Sequence, residues 1–117
     1  MKVIIAGSRD GVWPDLIPTA VLRSGFRLTE VVSGMARGVD SWGERYAEQH
    51  NIPVKQFPAD WTALGKYAGF ARNTKMGDYA DALIAIWNGE SKGTLHMINY
   101  MKKLNKKVYV YNVKDNS

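Results

Sequence analysis

The chain has 117 residues, no cysteine and a net charge of +5, with 45% hydrophobic and 23% charged residues. This length suits one domain with its own core, and the composition excludes a disordered chain. The lack of cysteine excludes disulfides and cysteine-ligated zinc. No apolar run reaches the roughly 18 residues of a membrane helix, and the N-terminus shows no signal-peptide pattern, so we expect a cytoplasmic protein without a membrane partner.

Neither the histidines nor the charge points to a specific cofactor. His50 and His96 are the two histidines, and their spacing suggests no metal site. Much of the positive charge lies at the end of the last predicted helix, at residues 102, 103, 106 and 107. These lysines either complement the negative end of the helix dipole, which we favour, or form a nucleic-acid patch. We expect no metal and no cofactor.

Short apolar runs alternate with helical patterns along the whole chain. In chain order we predict a strand at 2–6, a helix at 14–25, a strand at 28–33, a helix at 40–51, a strand at 52–57, an irregular stretch at 58–69, a helix at 69–80, a strand at 81–87, a helix at 93–105 and a strand at 107–113. Ser41 and Glu44 have the spacing of a capping box for the second helix.

This alternation predicts a single Rossmann-like, doubly wound α/β domain over residues 1–113, followed by a polar tail at 114–117. Continuous apolar runs are typical of strands that are buried on both faces. Strands joined through helices pair in parallel by right-handed crossovers. We therefore expect a five-stranded parallel sheet flanked by helices, with any ligand at the carboxyl edge of the strands.

The first strand runs directly into Gly7, Ser8 and Arg9. A glycine lets the backbone approach a ligand closely, and an arginine can bind a phosphate with two hydrogen bonds. A simple strand-to-helix turn with a solvent-facing arginine explains the same motif equally well.

After the second strand, the segment SGMARGVD (33–40) places Gly34 and Gly38 on either side of Arg37. Backbone N–H groups at such a helix start can bind an anion. Asp40 adds negative charge there, so it either accepts hydrogen bonds from a sugar or base, or caps the helix.

Arg72 and Asn73 lie early in the helix predicted at 69–80. A cation there opposes the helix dipole. This position indicates a ligand or subunit contact, with a surface ion pair as the alternative. Asn73 could read a base edge or bond to a neighbouring loop.

The loop NGESKGT (88–94) joins the fourth strand to the last predicted helix. It offers Ser91, Gly93, Thr94 and several backbone donors at a helix start, but it lacks the lysine of a Walker A motif. Phosphate binding and plain helix capping both explain this loop.

Trp61 lies in the irregular stretch and is the aromatic residue best placed to stack on a base, although we do not favour that role on sequence alone. The sequence contains no Ser-His-Asp pattern, no HExxH and no pair of carboxylates at a telling spacing. It therefore offers no evident catalytic pair.

Six ordered motifs together resemble the YspA-like proteins of the SLOG superfamily, which also holds the DNA-processing protein DprA and the Lonely-Guy phosphoribohydrolases. The motifs are AGSRD, VVSGMARGVDSWGERYA, IPVKQFPADW, GKYAGFARNTKM, ADALIAIWNGESKGTLHMI and KKVYVYNV, which span residues 2–113. The resemblance implies a Rossmann-like fold, nucleotide-type ligands and, as in DprA, single-stranded DNA. It also implies self-association, so we expect a homo-oligomer.

The resemblance also implies a set of ligand-binding positions. These are Gly7, Ser8 and Arg9; Ser33, Gly34, Arg37, Gly38 and Asp40; Arg72 and Asn73; and Gly93 and Thr94. The Lonely-Guy motif has a catalytic glutamate three residues after its threonine, where this sequence has Met97. That difference argues against hydrolysis by the Lonely-Guy mechanism.

Three hypotheses follow from the sequence. The first is a sensor or sequestering protein that binds a nucleotide or nucleotide-derived ligand through phosphate and ribose contacts. The second is a nucleotide N-glycosidase, for which Asp40 and Glu44 are weak catalytic candidates. The third is binding of single-stranded nucleic acid.

Overall fold

The structure, a computed structural model, describes residues 1–7, 15–35 and 39–113. The strands of this part of the chain are β1 (Lys2–Gly7), β2 (Glu30–Ser33), β3 (Val54–Gln56), β4 (Ala82–Trp87) and β5 (Lys107–Asn112). Its α-helices are α1 (Leu16–Ser24), α2 (Val39–Gln49), α3 (Trp61–Leu64), α4 (Ala68–Tyr79) and α5 (Lys92–Lys103), with a 3-10 helix (Gly65–Tyr67) between α3 and α4.

The strands form one parallel sheet in the order β3-β2-β1-β4-β5. The chain builds outward from β1 to β3 and then returns to the other side of β1 to add β4 and β5. Strand order therefore reverses between β1 and β4, where Gly7 lies opposite Ile86. The predicted doubly wound α/β fold with a five-stranded parallel sheet is confirmed.

Alternation along the strands divides the core between the two faces of the sheet. Val3 and Ile5 pack with α1 and α2, whereas Ile4 and Ala6 pack with α4 and α5. All four side chains are buried. The continuous apolar run of β1 follows directly from helices covering both faces.

The stretch at 58–69, predicted to be irregular, is mostly helical. Asp60 caps α3 by accepting a hydrogen bond from the Ala63 N–H at 3.0 Å. The prediction was wrong because a four-residue helix is too short to show a helical period, and Gly65, at φ 56°, interrupts the pattern. At the edge of the sheet, β3 is also shorter than predicted.

Two capping predictions for α2 are wrong. The helix already begins at Val39, so Asp40 is its second residue and Ser41 its third. Neither residue can therefore be the cap that precedes the helix. Glu44 does not close a capping box, because its carboxylate accepts hydrogen bonds from Ser33 and Gln56 instead.

The lysines near the end of α5 lie at the carboxyl ends of two helices, α5 and α4. Lys102 and Lys103 lie in the last turn of α5, as predicted. The Lys106 ammonium instead donates to the carbonyls of Gly77 and Ala80, at 2.7 and 2.8 Å, at the end of α4. These contacts complement the negative end of that helix. The predicted tail at 114–117 lies outside the described residues.

Candidate functional site

A cleft of about 70 Å³ lies at the carboxyl edge of the sheet, where strand order reverses between β1 and β4. Such a reversal opens a crevice because the connections leave the two central strands on opposite faces of the sheet. We name this space the switch-point cleft. Its lining residues are Ala6, Gly7, Asp40, Arg72, Asn73, Met76, Ser91, Gly93, Thr94 and Met97.

The start of α5 forms one wall of the cleft. Ser91 is the N-cap, and its hydroxyl accepts hydrogen bonds from the Thr94 N–H at 3.3 Å and the Thr94 hydroxyl at 3.0 Å. Before it, the Asn88 side-chain oxygen accepts from the N–H groups of Glu90 and Ser91, which fixes the turn. The capping role considered for Ser91 is confirmed.

Capping by Ser91 leaves some backbone N–H groups at the start of α5 without an acceptor in the described part of the chain. The first N–H groups of an α-helix have no acceptor within the helix, and here the Thr94 N–H is satisfied by Ser91. Within residues 1–7, 15–35 and 39–113, the Lys92 and Gly93 N–H groups have no hydrogen-bond acceptor. Gly93 lines the cleft, and a Cβ added to it would meet no atom within 4 Å.

Arg72 reaches from α4 across to the end of β2. Its Nη1 donates to the Gly34 carbonyl at 2.5 Å, and its Nε donates to the Asn73 side-chain oxygen at 3.1 Å. A Cβ on Gly34 would lie 2.9 Å from Arg72 Nη1 and 3.0 Å from Asp40 Oδ2. A side chain at position 34 would therefore have to displace one of these two charged side chains.

Asn73 connects α4 to α5. Its side-chain N–H₂ group donates to the Gly93 carbonyl and to Nδ1 of His96, both at 3.2 Å. His96 therefore accepts at Nδ1 and carries its proton on Nε2. Burial lowers the pKa of His96 from its ordinary value of 6.5. The histidine that supports the cleft is thus the neutral form.

Ser33 and Glu44 form a separate cluster outside the described lining of the cleft. The buried Ser33 hydroxyl donates to Glu44 Oε2 at 2.6 Å and accepts from the Met35 N–H at 3.1 Å. Gln56 donates to the other Glu44 oxygen at 2.9 Å. These contacts tie α2 to the ends of β2 and β3, so we interpret Glu44 as a structural residue.

Seven residues that were predicted to bind ligand are brought together in the lining of the cleft. They are Gly7, Asp40, Arg72, Asn73, Ser91, Gly93 and Thr94. Gly34 lies beside them through its contact with Arg72, whereas Ser33 faces Glu44. Ser8, Arg9, Arg37 and Gly38 lie outside the described residues.

Sequence reasoning did not identify the contribution of His96 or Met76. His96 was considered only as a metal ligand, but it supports Asn73 from a position 23 residues away. Met76 and Met97 form an apolar floor, and both are buried. Helical spacing marks them as core residues but cannot show that the core ends at a cleft. Among the described residues, no cluster of three or more acidic or histidine side chains could hold a metal.

The fold and the cleft define a Rossmann-type α/β domain with a crevice at its topological switch point. The sequence model of one family, described as the YspA, cpYpsA-related SLOG family, matches residues 1–63. That match covers more than half of the chain, which therefore belongs to this family.

A solved structure with the same fold is the X-ray structure of DNA processing protein A (DprA) from Streptococcus pneumoniae. It superposes with a TM-score of 0.76 at 17% sequence identity, over 93% of this chain and 49% of that chain. The chain thus spans about half the length of DprA, and at this identity the similarity concerns the fold alone. A comparison with curated proteins gives no match. No described helix combines the length and apolarity needed to cross a membrane.

Proposed function

We propose that this protein binds a nucleotide or nucleotide-derived ligand in the switch-point cleft, as a sensor or a sequestering protein. The observation that carries the proposal is the start of α5, where Gly93 lines the cleft together with Arg72 and its N–H has no acceptor among the described residues. Backbone donors at a helix N-terminus attract phosphate, and a guanidinium adds a cation. Membership of the SLOG family supports a nucleotide-related function.

The charges in the cleft suggest how such a ligand lies. Asp40 is 5% exposed, lines the cleft and would repel a phosphate group. A carboxylate accepts hydrogen bonds from hydroxyl groups. We therefore place the phosphate at Gly93 and Arg72, and the ribose hydroxyls toward Asp40.

Gly93→Ala tests this site with little change to the protein. The added methyl group meets no protein atom, but it occupies space beside the proposed phosphate. Calorimetry against nucleoside monophosphates, cyclic nucleotides and ADP-ribose should find a ligand that the variant binds at least about tenfold more weakly, equal to about 1.4 kcal/mol.

Lys103→Ala is the matched control, because it removes a charge at the far end of the same helix. It should retain the affinity of the unmodified protein, and both variants should keep its melting temperature. The proposal fails if no ligand binds more tightly than millimolar, or if Gly93→Ala binds every ligand as well as the unmodified protein does.

A nucleotide N-glycosidase is the second candidate, and the position of Asp40 favours it. Asp40 is the one carboxylate in the described lining of the cleft, where it could stabilise positive charge that develops on a ribose ring. Release of free base from nucleoside 5′-monophosphates, abolished in Asp40→Asn and retained in Glu44→Gln, would support catalysis. If the unmodified protein releases no base, the N-glycosidase hypothesis fails and the binding hypothesis stands.

Binding of single-stranded nucleic acid is a third candidate, supported by the net charge of +5 and by the fold shared with a DNA-processing protein. Lys103 lies about 16 Å along α5 from Lys92, since an α-helix rises about 1.5 Å per residue. A single-stranded nucleic acid that contacted both ends of α5 would therefore bind with an affinity that rises with oligonucleotide length and falls steeply with salt concentration. Affinity independent of length would favour the single-nucleotide site.

A further inference from the structure

Trp61 occupies a fixed position on the surface beside the cleft. It is the first residue of α3, which is capped by Asp60, and 52% of its surface is exposed. A large aromatic side chain held at this exposure leaves apolar surface in water, which is unfavourable. The exposure therefore calls for an explanation.

Two neighbouring aromatic side chains already have partners. Phe70 packs against the ring of His96 at 4.6 Å between centroids, and the ammonium of Lys66 lies 5.4 Å from the centre of the Tyr67 ring. Among the residues that the structure describes, Trp61 has neither a ring nor a cation against its indole. Its ring remains available for stacking.

The indole also lies close to the proposed phosphate position. A Cβ on Gly69 would be 3.6 Å from both Trp61 Cη2 and Arg72 Nη2, so these two atoms are at most about 7 Å apart. A single nucleotide spans such a separation between its phosphate and its base. With the phosphate at Arg72, the base can reach the indole.

We infer that Trp61 stacks on the base of the ligand and makes the site selective for nucleotides over simple sugar phosphates; this inference rests on the proposed function. The chemistry required is one phosphate and one flat aromatic base, as in a nucleoside 5′-monophosphate. Stacking needs no hydrogen bond to a base edge and so tolerates different bases.

The test compares nucleoside 5′-monophosphates with ribose 5-phosphate, which has the same sugar and phosphate but no base. Stacking on an aromatic side chain contributes about 1–3 kcal/mol by alanine substitution, a factor of roughly 5–150 in affinity. The unmodified protein should prefer its best nucleotide by such a factor. Trp61→Leu, which keeps an apolar side chain, should lose that preference, Trp61→Phe should keep part of it, and both should bind ribose 5-phosphate as before.

The possible failures are distinguishable. If nucleotides bind, Gly93→Ala weakens them and Trp61→Leu leaves the preference unchanged, the stacking inference is overturned and the proposed function stands. If Trp61→Leu instead changes only the oligomeric state, measured by light scattering, the indole belongs to an interface and the inference is equally overturned. If neither probe binds the unmodified protein, the proposed function fails and the inference fails with it.

Discussion

Asn73 makes three side-chain hydrogen bonds, and together they fix the orientation of its amide. Its oxygen accepts from Arg72, which can only donate, and its N–H₂ group donates to the Gly93 carbonyl, which can only accept. The remaining N–H therefore meets His96 Nδ1 as a donor. A neutral His96 supplies the acceptor for this N–H. A protonated His96 would instead place its own Nδ1–H against the Asn73 N–H, so that two donors would face each other.

Replacing His96 should alter how stability depends on pH. The pKa of His96 is lowered by burial in the folded protein, so the unfolded chain binds the proton more tightly. The contribution of neutral His96 is then complete above the ordinary pKa of 6.5 and is lost as the pH falls below it. His96→Gln, which offers Asn73 an uncharged acceptor, should lose less stability than the unmodified protein between about pH 7.5 and 5.5.

Urea unfolding of the two proteins across this range measures the difference. His50 and all carboxylates are common to both proteins, so their contributions cancel in the comparison. Identical pH profiles would show that His96 does not need to be neutral in the folded state.

The hydrogen-bond partners of Arg72 and Asn73 could not be predicted from sequence, although the two residues themselves could. The pair Arg72 and Asn73 was recognised from its position and from the family resemblance. Its contacts to Gly34, Gly93 and His96 cross 38, 20 and 23 residues. Only the packing of α4 against α5 and β2 brings those atoms together.

At the level of elements, the N-terminus of α5 depends on Ser91. Replacing an N-cap serine with alanine costs about 0.5–2 kcal/mol, whereas glycine costs a few tenths. Ser91→Ala should therefore lower the free energy of unfolding by about 1 kcal/mol, and Ser91→Gly should lower it by much less. Chemical denaturation measures both values. Equal losses in the two variants would indicate that the hydroxyl does not cap the helix.

The junction of β1 and β4 depends on Gly7. A Cβ there would clash with the Ile86 carbonyl and lie 2.8 Å from Val39 Cγ2. Forcing atoms into a packed interior typically costs about 1–3 kcal/mol, so Gly7→Ala should unfold at clearly lower denaturant concentration. Gly93→Ala, at a glycine with open space around it, is the control and should be as stable as the unmodified protein. An equally stable Gly7→Ala would contradict the packing described at the switch point.

Most elements were predictable because their patterns are local. The run ALIAIW of β4 is buried along nearly its whole length, and the apolar spacing of α5 matches its buried residues. β3 was predicted too long, since its Lys55 and Gln56 are exposed at the edge of the sheet and carry no burial pattern. The irregular prediction for α3 failed because its residues pack on no core.

For the whole molecule, the sequence predicted the position of the candidate site better than it predicted which residues line it. Parallel strands bring their carboxyl ends to one edge, so the ends of β1 and β4 had to lie near each other. Which of them face the cleft depends on the placement of helices: Asp40 faces it from the first turn of α2, while Glu44, one turn later, faces Gln56.

Two parts of the described chain could attract an anion. One is the start of α5 with Arg72, and the other is the lysine-rich end of the same helix at Lys102 and Lys103. The concentration of positive charge favours the lysine-rich end, whereas backbone donors and the helix dipole favour the start of α5. A small anion should therefore discriminate between them.

An NMR titration with ribose 5-phosphate, followed on backbone amides, tests the proposed site most directly because it detects even millimolar binding. We expect saturable shifts that are largest at Lys92 and Gly93, with little change at Lys102 and Lys103. Shifts that are largest at the lysine-rich end, or that fail to saturate at the start of α5, would contradict a phosphate site in the switch-point cleft.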